Sequence, residues 1–69
     1  MAESVYKIIE LVGTSPESWE AAARAAVERA SSTLRDLRIA EVDKLDMTVD
    51  NNKVALYRAK IKLSFKYEE

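Results

Sequence analysis

The sequence predicts an α+β fold in the order β-α-β-β, a three-stranded antiparallel sheet partly wrapped around one long helix. Three observations predict it. An apolar, β-branched run leads to the single glycine, Gly13; an alanine-rich stretch from Trp19 repeats its apolar residues at helical spacing; and two stretches of period-two alternation flank Asn51-Asn52.

Ser4 to Val12 reads as the first strand, because Val5, Ile8, Ile9, Leu11 and Val12 suit a pleated, half-buried surface and Gly13 ends the run. Thr14-Ser15-Pro16-Glu17 then predicts the helix start. It offers a hydroxyl N-cap, a proline at the first helical position and a carboxylate near the positive end of the helix dipole. Trp19, Ala22, Ala23, Ala26, Val27, Ala30, Leu34 and Leu37 follow at the spacing of one helical face. This face is mostly alanine, so the helix axis lies close to what it packs on, while Trp19 fills the wider space at its N-terminal end. Glu20, Arg24 and Glu28 form an i,i+4 ladder on the solvent side, at ~0.2–0.5 kcal/mol per pair.

After Asp36 the period changes to two, and Arg38 to Asp50 and Val54 to Tyr67 read as strands around Asn51-Asn52. In the last strand Ala55, Tyr57, Ala59, Ile61, Leu63, Phe65 and Tyr67 share one face, which lies under the helix; Arg58, Lys60, Lys62, Ser64 and Lys66 share the other. The strand before it changes parity between Ala40, Val42 and the later Leu45, Met47, Val49, which predicts a β-bulge near Asp43-Lys44. With a three-residue loop, Asn51 to Lys53, inward residues meet inward residues. That register sets Asp46 opposite Arg58 and Glu41 opposite Lys62, both favourable cross-strand pairs. Tyr67-Glu68-Glu69 reads as the end of the last strand.

In this order of elements the last strand lies between the other two and the helix covers one face. The opposite face carries Ile39, Val54, Leu56 and part of the first strand, which a lone subunit would leave in water. Burying each such side chain against a neighbour contributes on the order of 1.5–3 kcal/mol. At 69 residues a single core is marginal, and the chain has no Cys for disulfides and neither Cys nor His for a structural zinc site. Self-association is the remaining support, and the whole of 1–69 is expected to be one domain of a homo-oligomer.

Eleven basic residues against 12 acidic leave no electrostatic footprint for nucleic acid or an anionic membrane, and no apolar run is long enough to span a bilayer. The opening Met1-Ala2-Glu3-Ser4 lacks the pattern of a secretory leader, which predicts a cytoplasmic chain. Without His or Cys the common triads and dyads are absent, and no spacing of Asp, Glu, Lys or Tyr marks an acid/base pair, so the chain reads as a non-enzyme.

The run Val5-Tyr6-Lys7-Ile8-Ile9-Glu10-Leu11-Val12-Gly13-Thr14-Ser15-Pro16, the alanine-rich helix, Thr33-Leu34-Arg35, Glu41-Val42 and Phe65 together resemble the dodecin family over nearly the whole chain. The resemblance implies a hollow dodecamer with each helix on a curved antiparallel sheet. It also implies storage of a small ligand between subunits, flavins such as FMN or riboflavin in stacked pairs, and coenzyme A in some members.

The family's flavin-stacking tryptophan matches Ile39 here, its flavin-bonding glutamine matches Arg58, and its arginine after the bulge matches Asp46. Ile39, Asp46, Arg58 and Lys66 are therefore the candidate cofactor-contacting residues. Loss of the ring removes ~0.5–1.5 kcal/mol per aromatic pair, so the flavin site reads as degenerate and Asp46–Arg58 as an ion pair in its place.

The same departures resemble a subgroup described as calcium dodecins, through Ser18-Trp19-Glu20, Arg38-Ile39-Ala40, Asp46-Met47-Thr48-Val49-Asp50 and Ser64-Phe65-Lys66. Calcium takes six to eight oxygen ligands, and the carboxylates of one subunit are too spread along a strand to supply them. Glu41, Asp46 and Asp50, gathered from neighbouring subunits, are the candidate metal ligands. The alternatives are a purely structural oligomer and a flavin store with a modified site.

Overall fold

The computed structural model describes residues 3–67, so Met1, Ala2 and the expected strand end at Glu68 and Glu69 lie outside the described residues. The order of elements is β1 (Tyr6–Ser15), α1 (Trp19–Ser31), β2 (Leu37–Asp50) and β3 (Lys53–Lys66). β3 is the central strand, antiparallel to both β1 and β2, as the sequence predicts.

The helix begins later than Thr14-Ser15-Pro16 suggests. β1 runs through to Ser15, whose buried Oγ accepts the Glu17 N–H at 3.0 Å; Ser18 is the N-cap, its Oγ accepting from Ala21 N at 3.0 Å. A local hydroxyl turn thus takes up Ser15, and the helix starts at Ser18, a cap that the sequence reading does not single out. The helix also ends earlier than the apolar spacing out to Leu37 implies. Ser31, Ser32 and Thr33 hydroxyls bond the Glu28, Arg29 and Ala30 carbonyls, and Asp36 turns the chain with φ 60°. Leu34 and Leu37 still pack on the core, from the connection and from the start of β2.

The hairpin turn has two residues, where the sequence suggested three. Asp50 faces Lys53, and Asn51 and Asn52 have φ of 53° and 61°, the left-handed values that a twisted two-residue hairpin needs. The residue saved in the turn reappears as an irregularity between Thr48 and Val49, where Ala55 is the extra residue of β3. Asp46 therefore still faces Arg58, and Glu41 still faces Lys62. The bulge expected near Asp43-Lys44 lies between Val42 and Lys44, and a further shift lies between Leu37 and Ile39.

Ala22, Ala26 and Ala30 of α1 close over Ala59, Ile61 and Leu63 of β3. The small side chains bring the helix so near β1 that a Cβ on Gly13 would stand 2.0 Å from the Ala22 carbonyl oxygen. Among the described residues only Ile61 and Leu63 are large, fully buried side chains. A helix of 13 residues is about 20 Å long, whereas a strand of 14 spans about 46 Å. α1 lies on β1 and β3 and scarcely touches β2, so the inward row does not lie wholly beneath it: Leu45, Met47 and Val49 are exposed, as are Ala55 and Tyr67.

Candidate functional site

Because Ala59, Ile61 and Leu63 point into the helix, the alternate residues of β3 point to the opposite face. Across the three strands that face reads Glu10–Lys62–Glu41, then Val12–Lys60–Lys44, then Thr14–Arg58–Asp46. Arg58 and Asp46 form a two-pronged ion pair, Nε to Oδ1 at 2.7 Å and Nη2 to Oδ2 at 2.8 Å. Hydrogen bonding from Arg58, with its charge acting in the same sense, holds the Asp46 carboxyl below its ordinary range, and Asp46 raises the Arg58 pKa in return. Both side chains keep about half their exposure, 44% for Arg58 and 54% for Asp46.

The other candidates do not join them. Ile39 faces Ser64 and is 65% exposed, and Lys66 faces Tyr6. At roughly 3.3 Å per residue, Lys66 lies about 26 Å along β3 from Arg58. Glu41, Asp46 and Asp50 are likewise strung over about 30 Å of β2. Among the described residues no three Asp, Glu, His or Cys side chains gather closely enough to hold a metal ion. Glu41 and Lys62 are cross-strand neighbours, but the ion pairs within 4.0 Å among the described residues are Asp46–Arg58 and Glu10–Lys60, the latter at 3.6 Å. The ladder expected along Glu20, Arg24 and Glu28 therefore does not close, since these exposed side chains are better solvated apart.

On the helix side an apolar groove of about 490 Å³ lies between α1 and β2, lined by Trp19, Glu20, Ala23, Val42 and Leu45. Trp19 forms its end wall. The indole Nε1–H donates to the Asp46 main-chain oxygen at 3.0 Å, and the ring meets Tyr57 edge-on, with centroids 5.1 Å apart. Sequence periodicity identifies the Trp19 face but not this bond. The signal for it was the indole N–H itself, a donor that needs an acceptor once its ring is packed against protein. The Glu10–Lys60 pair was legible from parity, since both residues point away from the helix.

A family model described as Dodecin matches residues 5–68. The chain belongs to the dodecin family. This dodecin is 51% identical over 63 residues to calcium dodecin from Mycobacterium tuberculosis, covering 91% of this chain and 89% of that one. Its structure is similar to that of dodecin from Streptomyces coelicolor, with a TM-score of 0.92 and 40% identity over 100% and 99% of the two chains. It is also similar to the solved calcium dodecin of M. tuberculosis, described as a calcium-chelating antigen with a novel calcium-binding site (TM-score 0.83, 50% identity, 94% and 93% covered).

Measured against these ligands, the residues of one subunit of this dodecin fit neither. Ile39, expected from the family resemblance at the position of the flavin-stacking ring, is aliphatic, and Arg58, expected at the flavin-bonding position, is already bonded to Asp46. For calcium the donors are of the right kind but are spread out, and one of them is engaged by a guanidinium.

Proposed function

We propose that this dodecin is a non-enzymatic homo-oligomer, a hollow dodecamer, that binds a small ligand or ion between its subunits. The observation that carries the reading is the amount of apolar surface one subunit leaves open. Val5, Tyr6, Ile8, Val12, Ile39, Val42, Leu45, Met47, Val49 and Val54 are all exposed, on both sides of a sheet with a thin core. Neighbouring copies cover the α1–β2 groove and bring separated side chains together.

The ligand we infer is calcium, held by Glu41, Asp46 and Asp50 of different copies. Its support is the donor chemistry and the identity to a relative named calcium dodecin. The degenerate flavin face, with Ile39 and the closed Asp46–Arg58 pair, argues against tight FMN or riboflavin stacking. That closed pair also favours a second reading, in which the assembly is purely structural.

Native mass spectrometry of the purified protein reads subunit number and retained ligand together. Twelve copies, heat on calcium titration and a calcium-dependent rise in melting temperature are the expected results. An assembly that gives neither heat nor shift leaves the structural reading. Quenching of added FMN fluorescence would point instead to a modified flavin site, and a compact monomer sinks the proposal.

A further inference from the structure

The ion pair faces away from the helix and the groove lies on the helix side, yet Asp46 of the pair accepts a hydrogen bond from Trp19, which lines the groove. The Asp46 carboxylate accepts from Arg58 on one face, and its main-chain oxygen, on the edge strand β2, accepts from the Trp19 indole. Trp19 is also the end wall of the groove, and it leans on Tyr57, the residue preceding Arg58 in β3. Both partners of the ion pair are thus tied to the same indole, Asp46 by a hydrogen bond and Arg58 through its chain neighbour. β2 is an edge strand that α1 scarcely contacts, and among the described residues the Trp19–Asp46 bond is the one side-chain hydrogen bond between the two.

We infer that Trp19 is a positioning residue that couples the Asp46–Arg58 pair to subunit packing in the α1–β2 groove. When a cation or a substitution draws the Asp46 carboxylate from Arg58, the adjoining backbone shifts, the indole loses its acceptor geometry and the groove wall moves. Conversely, a second copy seated in the groove holds Trp19 in place and with it the paired form of Asp46. Coupling of this kind is reciprocal, so occupancy of one face changes affinity at the other by the same factor. The inference rests on the reading that a second copy covers the groove.

The test uses the full chain and its single tryptophan. Asp46→Asn keeps the shape and the main-chain oxygen but discharges the pair; Arg58→Met removes the partner. Trp19→Phe keeps an aromatic ring beside Tyr57 while removing the donor and part of the ring area. In Asp46→Asn and in Arg58→Met, acrylamide quenching of Trp19 is expected to rise, and the concentration at which the assembly dissociates is expected to rise with it. A double-mutant cycle between Asp46→Asn and Trp19→Phe should show a departure from additivity in that dissociation concentration of roughly twofold or more.

Unchanged quenching in both single variants, or strict additivity in the cycle, overturns the coupling. A protein that sediments as a folded monomer at every concentration overturns the assembly reading instead. The quenching arm then decides by itself whether ion pair and indole are linked. Circular dichroism of each variant identifies any that fails to fold, and Arg58→Lys, which keeps the charge but loses the fork, then replaces Arg58→Met, with quenching above that of the parent as the expected result.

Discussion

Asp46 is the residue on which most of the chemistry of this subunit converges, and its state follows from simple ionic geometry. A carboxylate facing a guanidinium across a non-helical face is held in the charged form by two donated hydrogen bonds. Its folded-state pKa lies below the ordinary 3.8, so the pair contributes stability above that value, and the contribution is lost as pH falls through the folded pKa. Arg58, shifted upward, stays charged throughout. Urea midpoints for the parent and Asp46→Asn should therefore run parallel near neutrality, and the difference between them should close below roughly pH 4. Parallel curves down to pH 2 would show that the pair has no thermodynamic weight. The pair was legible in the sequence because strand parity and a bulge are enough to place two residues opposite one another. Trp19's bond to Asp46 was not, since it spans 27 positions and depends on how the helix lies across the sheet.

At the scale of elements, the order, the pairing and the central bulge follow from alternation and helical spacing alone. The boundaries do not. Thr14-Ser15-Pro16 and Ser18 are competing helix starts of similar local chemistry, and what separates them is the extension of β1 alongside Ala59, Arg58 and Tyr57. The hairpin was misjudged by one residue because a three-residue loop and a two-residue loop with a bulge at Ala55 give the same register at Asp46. The two-residue turn makes its own prediction. Asn52 sits at φ 61°, where a β-branched residue costs about 1–2 kcal/mol and glycine costs little. Asn52→Val should lower the urea midpoint with an unchanged slope, and Asn52→Gly should hold or raise it; equal midpoints for the two would mean that the turn is not fixed in this geometry.

As a whole molecule the subunit is the wrong shape to stand alone. Its radius of gyration is 14.3 Å and its extents are 55 × 20 × 15 Å, whereas a compact chain of this length would have a radius near 11 Å. The long hairpin overhangs the short helix, and Met47, Val49 and Val54 are exposed on that overhang. Stability should therefore depend on protein concentration, with a melting temperature that climbs over a hundredfold range of concentration. A melting temperature flat across that range, with a monomer in sedimentation, would show that the overhang is stable in water. The sequence implied an exposed apolar face through Ile39, Leu56 and Val54, of which Ile39 and Val54 are exposed and Leu56 is half-buried. It did not imply the groove beside Leu45, because helix length and placement, not residue pattern, decide which inward side chains are covered.

An edge strand of fourteen residues would, if regular, be a template on which further chains could stack without limit into fibrils. β2 itself carries an extra residue at two places, Arg38 and Asp43, so a chain laid along it cannot keep an unbroken ladder from end to end. The irregularities that set Asp46 before Arg58 thus also blunt the route to insoluble cross-β growth, and what joining remains is steered toward side-chain contacts that close on themselves.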